Sequence, residues 1–237
     1  MRRALIVVLF VAAASVFAQQ PQPQKPATPP PPAQTAPAPA PVPQITPAQL
    51  WSALLQSNST YVAGKISFND LKAERTMFKE SQFPPITVIS CSDSRVPPEL
   101  VFNQSLGVLF VVRAAGNVVD DFGLASVEYA IAQGYTKLIV VLGHENCGAV
   151  KASLGTANPA TPALTALATR IRSSFVGIPY DSVDPANVKK AVEANTRASA
   201  TYLLAASQLI RDAKATEKID IVTAYYEMES GVVKKIE

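Results

Sequence analysis

The sequence predicts an α/β domain in which helices flank a mostly parallel central β-sheet, with an N-terminal helix and a C-terminal hairpin. One observation is a set of short apolar segments rich in β-branched residues, which have the length and composition of buried strands. They are residues 85–90, 108–112, 137–143 and 219–229. The second observation is the helical periodicity of the segments between them. Strands that alternate with helices pair in parallel and are covered on both faces, so this order predicts the sheet.

The helices are predicted from caps and from the spacing of apolar residues. Thr46 can cap a helix over residues 46–57, and Pro47 suits its first turn. Helical periodicity predicts further helices over residues 122–134, 163–175 and 185–213. The sequence SGVVKKI (230–236) offers a turn followed by a fifth strand. This strand would complete the C-terminal hairpin.

The first 44 residues precede this domain and have two different compositions. Residues 1–18 contain two arginines, then an apolar run, and end in Ala18, which is the pattern of a cleavable signal peptide. The run is short for a membrane span, which needs about 20 residues. Residues 19–44 hold eleven of the chain's twenty prolines and few large apolar side chains. We therefore expect a Pro-rich disordered linker, followed by one domain over residues 45–237.

Charge and the signal peptide limit the partners and the location. The net charge is +3, and two of the positive charges are Arg2 and Arg3 in the predicted signal peptide. The remainder is too weakly basic for us to expect nucleic-acid binding or stable membrane association after cleavage. A signal peptide predicts export, most simply to a bacterial periplasm. In such an oxidising compartment, two cysteines by default form a disulfide.

Three metal-binding side chains lie at the predicted carboxyl ends of two strands. Cys91 follows strand 85–90, and His144 and Cys147 follow strand 137–143. Sites in parallel sheets form at these strand ends. Two cysteines and one histidine with a free fourth position are typical of a catalytic zinc. The alternatives are a Cys91–Cys147 disulfide in a secreted binding module, and a cysteine nucleophile that works with His144.

An acid and a base follow Cys91 at alternate positions. If the segment is extended, Asp93 and Arg95 lie on the same side of the chain, and Arg95 can hold Asp93 through a bidentate ion pair. Asp93 would then stay ionised and could accept a hydrogen bond from solvent on the metal. The alternative is an ion pair on a surface loop, which contributes little to stability.

Several segments together resemble the β-class carbonic anhydrases. They are CSDSRVPPELVF (91–102), LFVVRAAGNV (109–118), EYA (128–130), KLIVVLGHENCGAVKA (137–152) and YYEMESGVV (225–233). The combination of C-x-D-x-R, R-x-x-G-N and G-H-x-x-C-G is highly specific. The resemblance runs from about residue 46 to the C-terminus. It implies the β-carbonic anhydrase fold and the reversible hydration of CO₂ to bicarbonate and a proton through zinc-bound hydroxide.

The resemblance also implies a role for each residue of the metal site. Cys91, His144 and Cys147 are expected to bind Zn²⁺. Asp93 is expected to accept a hydrogen bond from the zinc-bound solvent or, in a closed form, to become the fourth ligand. Arg95 is expected to keep Asp93 off the metal.

The substrate pocket implied by the resemblance includes three further side chains. They are Gln82, Phe110, which would come from a partner subunit, and Tyr129. Gly148 follows the second cysteine, where it would let the backbone approach the site. A pocket shared in this way implies a homo-oligomer, at least a dimer, with the first helix reaching across to the partner. An alternative within the same scaffold is a hydrolase of carbon disulfide or carbonyl sulfide.

Two departures bear on regulation and proton transfer. One family branch that is inhibited by bicarbonate carries a tryptophan where this chain has Val88. We therefore expect the open branch, without a bicarbonate switch. His144 is the only histidine of the chain, and the metal would use it. Proton transfer should then depend on buffer, water chains or a carboxylate.

Overall fold

The computed structural model describes residues 45–155 and 159–237. The predicted signal peptide (1–18) and linker (19–44) lie outside the described residues. The fold class is as predicted: five strands form one sheet in the order β2-β1-β3-β4-β5. The first four are parallel, and β5 pairs antiparallel with β4. The strands are β1 (Ile86–Ser90), β2 (Leu109–Arg113), β3 (Leu138–His144), β4 (Asp220–Tyr226) and β5 (Val233–Lys235).

Eight α-helices are described around the sheet. They are α1 (Pro47–Val62), α2 (Leu71–Met77), α3 (Pro98–Val101), α4 (Asp121–Ala132), α5 (Gly148–Leu154), α6 (Pro162–Arg172), α7 (Pro185–Ala206) and α8 (Gln208–Ala215). A short 3₁₀ turn over Ala115–Asn117 follows β2. The helix predicted over 46–57 extends to Val62. Helices α2, α3 and α5 were not predicted, because they are too short to show a clear periodicity.

The first helix begins where its cap predicts. The Thr46 hydroxyl accepts a hydrogen bond from the Gln49 amide, and the Gln49 side chain accepts one from the Thr46 amide. This reciprocal pair is a capping box. Pro47 occupies the first turn, where its missing N–H has no helical partner to lose.

The helix predicted over 185–213 is two helices, and the prediction of a single one was wrong. The break is at Ser207, whose hydroxyl accepts a hydrogen bond from the Ile210 amide and so caps α8. The same hydroxyl donates to the Glu128 carboxylate of α4 at 2.5 Å. A serine in a helical pattern can act as an N-cap when a tertiary partner holds it there.

The two faces of the sheet are buried by different helices. Alternate residues of a strand point to opposite faces. On one face, Val88 and Val140 pack with Leu54 of α1. On the other face, Val141 packs with Leu203 of α7 in the same core cluster as Ile210 of α8. All residues of β1 and β3 are buried, so the sheet is covered as predicted.

Helix α7 crosses the end of β3 very closely. A Cβ atom at Gly143 would lie 2.2 Å from the Thr196 hydroxyl oxygen and 2.9 Å from a Val192 methyl carbon. Only glycine fits at this crossing. The close approach fixes α7 against the residue just before His144.

Among the described residues, no helix is both long enough and apolar enough to cross a membrane.

Candidate metal centre

Three ligand side chains converge at the carboxyl ends of β1 and β3. Cys91 follows β1, His144 ends β3, and Cys147 occupies the N-cap position of α5. Their ligand atoms lie within 4.8 Å of one another, and all three residues are buried. Asn146, in the turn between the last two, has a φ of 52°. Asparagine adopts this left-handed conformation more readily than most residues, and the turn brings Cys147 to the same point as His144.

The two cysteines are free thiols rather than a disulfide. Their sulfur atoms are 4.0 Å apart, about twice the length of an S–S bond. Two sulfurs that are each about 2.3 Å from one tetrahedral zinc ion lie roughly 3.8 Å apart. The observed separation therefore suits a shared metal ion and not the Cys91–Cys147 disulfide of the alternative interpretation.

The hydrogen bonding of His144 fixes which ring nitrogen is available. Its Nδ1 lies 2.9 Å from the Glu145 carbonyl oxygen, which can only accept. Nδ1 therefore carries the proton, and Nε2 of the neutral ring presents a lone pair. This buried Nε2 has no hydrogen-bond partner among the described residues. A histidine oriented in this way by a backbone carbonyl is the usual arrangement of a metal ligand.

The electrostatics of the thiol pair favour a bound cation. The Cys147 thiol donates to Cys91, which lowers the pKa of Cys91, and the Gly116 amide also donates to the Cys91 sulfur at 3.2 Å. The bond to Cys91, together with burial, raises the pKa of Cys147. Without a cation, only one of the two is readily a thiolate. A divalent metal ion would stabilise both thiolates, because each bears a negative charge next to it.

Asp93 and Arg95 form the predicted bidentate pair beside the ligands. Arg95 Nε donates to Asp93 Oδ1 at 2.9 Å and Nη2 donates to Oδ2 at 2.7 Å, and the Arg95 amide adds a bond of 3.0 Å. These bonds hold the pKa of Asp93 well below its usual range. Asp93 Oδ2 lies 3.9 Å from Nε2 of His144. The carboxylate is thus ionised, adjacent to the metal position, and held by Arg95.

Arg113 holds the loop that carries Cys91 and Asp93. Arg113, the last residue of β2, donates from Nε to the Cys91 carbonyl at 2.9 Å and from Nη2 to the Asp93 carbonyl at 2.6 Å. The roles of Arg113 and of the Gly116 amide did not emerge from the sequence, although both lie in the motif R-x-x-G-N. The spacing of that motif from a strand end was the signal that could have indicated them.

Phe110, one of the predicted pocket residues, lies away from the metal ligands of its own chain. Phe110 pairs in register with Thr87, four residues before Cys91, so it lies about 13 Å from the ligands along the strand direction. Its ring is 6.4 Å from the ring of Tyr129, which is 48 % exposed. Gln82 is exposed in the loop before β1.

Gly148 is not required by packing within the chain. A Cβ atom there would meet nothing within 4 Å among the described residues. Gly148 directly follows Cys147 at the start of α5, and the predicted approach of its backbone to the site stays a prediction.

Comparison with known proteins agrees with this fold and site. The sequence profile of the carbonic anhydrase family matches residues 86–233. A curated relative, carbonic anhydrase 2 of Mycobacterium tuberculosis, is 33 % identical over 193 residues, which cover 80 % of this chain and 92 % of the relative. A carbonic anhydrase of Mycolicibacterium smegmatis is 45 % identical over 113 residues, covering 47 % of this chain and 55 % of the relative.

Two solved structures show the same fold. A β-carbonic anhydrase of Coccomyxa in complex with acetazolamide aligns with a TM-score of 0.61 and 26 % identity, over 80 % of this chain and 82 % of that one. A tetrameric β-carbonic anhydrase of Sordaria macrospora aligns with a TM-score of 0.63 and 23 % identity, over 79 % and 96 % of the two chains.

The fold and the site together define an α/β protein with a buried Cys₂His cluster at the carboxyl end of a parallel sheet. The chain belongs to the carbonic anhydrase family, and its structural relatives place it in the β-class. It is therefore an enzyme of that family.

Proposed function

We propose that the chain catalyses the zinc-dependent, reversible hydration of CO₂ to bicarbonate and a proton. The observation that carries the proposal is the buried cluster of Cys91, His144 and Cys147, with an unpartnered histidine nitrogen beside an ionised Asp93. The donor set fits zinc, which prefers sulfur and imidazole nitrogen. When bound, zinc lowers the pKa of a coordinated water toward neutrality and so supplies a nucleophile at neutral pH.

Asp93 orients the reacting water in this proposal. An ionised carboxylate only accepts hydrogen bonds, so Asp93 accepts one from the water and turns the water's lone pair toward the carbon of CO₂. Arg95 keeps the carboxylate charged and fixes its position through two side-chain bonds. Arg95 is a positioning residue, because it acts through Asp93.

The released proton leaves without a histidine relay. Hydration of CO₂ by water yields bicarbonate and one proton, which must reach solvent before the next turnover. His144 is the only histidine, and its Nδ1 donates to the Glu145 carbonyl. We therefore propose that the proton passes through water to buffer, and that turnover depends on buffer concentration.

The substrate pocket is proposed to require a second copy of the chain. In support, Phe110 lies about 13 Å from the ligands of its own chain along the strand direction, and the ring of Tyr129 is next to that of Phe110. They belong to a row of aromatic rings with Phe83 and Tyr135, in which Phe83 and Tyr129 are exposed and the other two are partly buried. This row lies next to edge strand β2, where a groove of about 380 Å³ is lined in part by Phe122, which is 85 % exposed. We propose a homodimer, or a larger assembly of dimers, in which Phe110 of the partner subunit completes each pocket.

We also propose that the chain is exported to a periplasm, with cleavage after Ala18. The support is the sequence pattern of residues 1–18. N-terminal sequencing of protein from the periplasmic fraction should begin at Gln19. A first residue at Met1, or protein found only in the cytosol, would contradict the proposal.

The central experiment is stopped-flow CO₂ hydration by the chain from Gln19, with and without zinc. The zinc-loaded protein should be active, with a rate that rises between about pH 6 and about pH 9 as the coordinated water loses its proton. Chelation should abolish the activity. The Cys147→Ser variant should remain inactive when zinc is added. Zinc-loaded protein that hydrates no CO₂ but hydrolyses carbon disulfide or carbonyl sulfide would replace the proposed substrate. Protein that binds no zinc would overturn the metal site.

Mixed dimers test the shared pocket. Phe110→Ala and Cys147→Ser should each be inactive or nearly so when prepared alone. In a heterodimer of the two, one site has intact ligands from the Phe110→Ala chain and the partner subunit's Phe110. Co-expression with two different tags should therefore recover up to half of the wild-type activity per dimer. If Phe110 acts within its own chain, the heterodimer stays inactive.

A further inference from the structure

Helix α7 reaches the metal centre through two buried polar side chains. Asn195 Nδ2 donates to the Gly116 carbonyl at 2.6 Å, and Ser199 Oγ donates to the Asn117 carbonyl at 3.0 Å. The two residues are four apart and so lie on one face of the helix. They are 2 % and 3 % exposed. Both bonds connect positions about 80 residues apart in sequence, with separations of 79 and 82.

The segment that these two side chains contact is the 3₁₀ turn over Ala115–Asn117. Gly116 has a φ of 67° and Asn117 a φ of 47°, so two successive residues are left-handed. The 3₁₀ turn supplies one hydrogen bond of its own, from the Asn117 amide to the Ala114 carbonyl. Glycine and asparagine adopt the left-handed conformation more readily than other residues, and contacts with the rest of the chain hold the turn in it. The two bonds from α7 are the polar part of those contacts.

The same segment donates to a metal ligand. The Gly116 amide lies 3.2 Å from the Cys91 sulfur. The buried Gly116 carbonyl accepts from Asn195. Gly116 is therefore bonded to α7 through its carbonyl and to the Cys91 sulfur through its amide. Movement of the turn away from α7 would change the length or the angle of the N–H···S bond.

We propose that Asn195 and Ser199 are positioning residues for the metal centre, which fix the Gly116 N–H on the Cys91 sulfur. The proposal rests on the metal-dependent function proposed above. An N–H donor withdraws electron density from a thiolate, and outer hydrogen bonds of this kind tune the metal they surround. With the donor in place, the sulfur gives less charge to the metal, which stays a stronger Lewis acid.

Cobalt(II) is the probe that reports on the sulfur directly, because a thiolate bound to cobalt gives a sulfur-to-metal charge-transfer band in the near ultraviolet. Cobalt would be added in place of zinc to the full chain carrying Asn195→Ala or Ser199→Ala. Both variants should still bind one cobalt ion. Loss of the N–H···S bond makes the sulfur richer in electrons, so the band should move to lower energy. Amide hydrogen exchange at Gly116 should accelerate at least about tenfold, since local opening no longer breaks the bond to α7.

Asn187→Ala is a matched control on the same helix. Asn187 is also buried, and its amide donates to two loop carbonyls, those of Pro179 and Asp181. Its removal should lower the stability to a similar extent without moving the cobalt band. An equal shift in Asn187→Ala would show a general effect of α7 and would overturn the proposal.

The remaining outcomes are also decisive. If Asn195→Ala does not fold, Ser199→Ala alone should give a smaller shift in the same direction. Wild-type band positions and wild-type exchange at Gly116 in the folded variants would overturn the positioning role while leaving the metal site intact. A wild-type protein without a charge-transfer band would instead overturn the metal site, and this inference with it.

Discussion

Asp93→Asn separates the catalytic role of the carboxylate from its role in folding. In the native pair, both carboxylate oxygens accept from Arg95, at 2.9 Å and 2.7 Å. Asparagine retains one acceptor oxygen. If that oxygen keeps the bonds of Oδ1, the amide nitrogen faces Nη2 of Arg95, donor against donor. The substitution therefore breaks the bidentate pair and removes the acceptor that faces the reacting water.

The two effects differ in size. The Arg95 side chain is 55 % exposed, so solvent screens the ion pair and its loss should cost about 1 kcal/mol of stability. Loss of one preorganised hydrogen-bonding group at a reacting centre typically costs about 10²- to 10³-fold in rate. A rate loss of about 100-fold corresponds to about 2.7 kcal/mol. The expected increase in activation free energy is therefore larger than the expected loss of folding stability.

The pH dependence of stability gives an independent check. Because the Arg95 bonds depress the pKa of Asp93, the carboxylate stabilises the folded state at every pH above its unfolded value. That contribution is lost as the pH falls from about 4 toward the depressed pKa. The stability difference between the wild type and Asp93→Asn should thus be constant from neutral pH down to about pH 5 and shrink only in more acidic solution.

Measurement requires zinc content, CO₂ hydration and urea unfolding on the same preparations. Asp220→Asn is the matched control, since Asp220 pairs with Lys214 at 2.6 Å at the amino end of β4, far from the ligands. It should bind zinc and keep full activity. Full activity in zinc-loaded Asp93→Asn would refute the orienting role, and loss of zinc from that variant would show that Asp93 supports the metal instead.

Three further predictions address packing, the thiols and proton transfer. In urea titrations, Gly143→Ala should lower the free energy of unfolding by about 1–3 kcal/mol, because the added Cβ would overlap Thr196. The control Gly148→Ala should change that free energy by less than about 0.5 kcal/mol. Equal effects of the two substitutions would contradict the close crossing of α7 over Gly143. In thiol titrations, zinc-loaded protein should show no reactive thiol, and chelated protein should show two, from Cys91 and Cys147. The absence of a reactive thiol in both states would indicate a disulfide. The hydration rate should rise with buffer concentration at fixed pH, and a rate independent of buffer would mean that the protein supplies an internal proton relay.

The strands and the ligand set could be predicted because each depends on local sequence. A run such as ITVIS is mostly apolar, and its first four residues are β-branched, so its composition favours a buried strand. Cys91 and His144 lie at the ends of such runs, and parallel pairing of β1 with β3 brings those ends together. The pairing rule, rather than any contact visible in the sequence, makes two residues 53 positions apart neighbours.

The break between α7 and α8 could not be predicted, because its cause is a contact in space. Ser207 lies in a sequence with continuous helical periodicity, and its hydroxyl finds the Glu128 carboxylate only once α4 packs against α8. The short helices were missed for a related reason. A helix of four to seven residues gains its stability from tertiary packing and has too few turns to show a pattern.

The sequence by itself determined the sheet, the three candidate metal ligands and the Asp93–Arg95 pair. These features rest on periodicity, on strand ends and on a spacing of two residues, all of which are properties of the chain before it folds. Only the tertiary structure decided that the Cys91 and Cys147 sulfurs lie 4.0 Å apart as free thiols and that His144 presents Nε2. It alone brought Asn195 to the Gly116 carbonyl, because hydrogen bonds between distant segments depend on how the helices pack over the sheet.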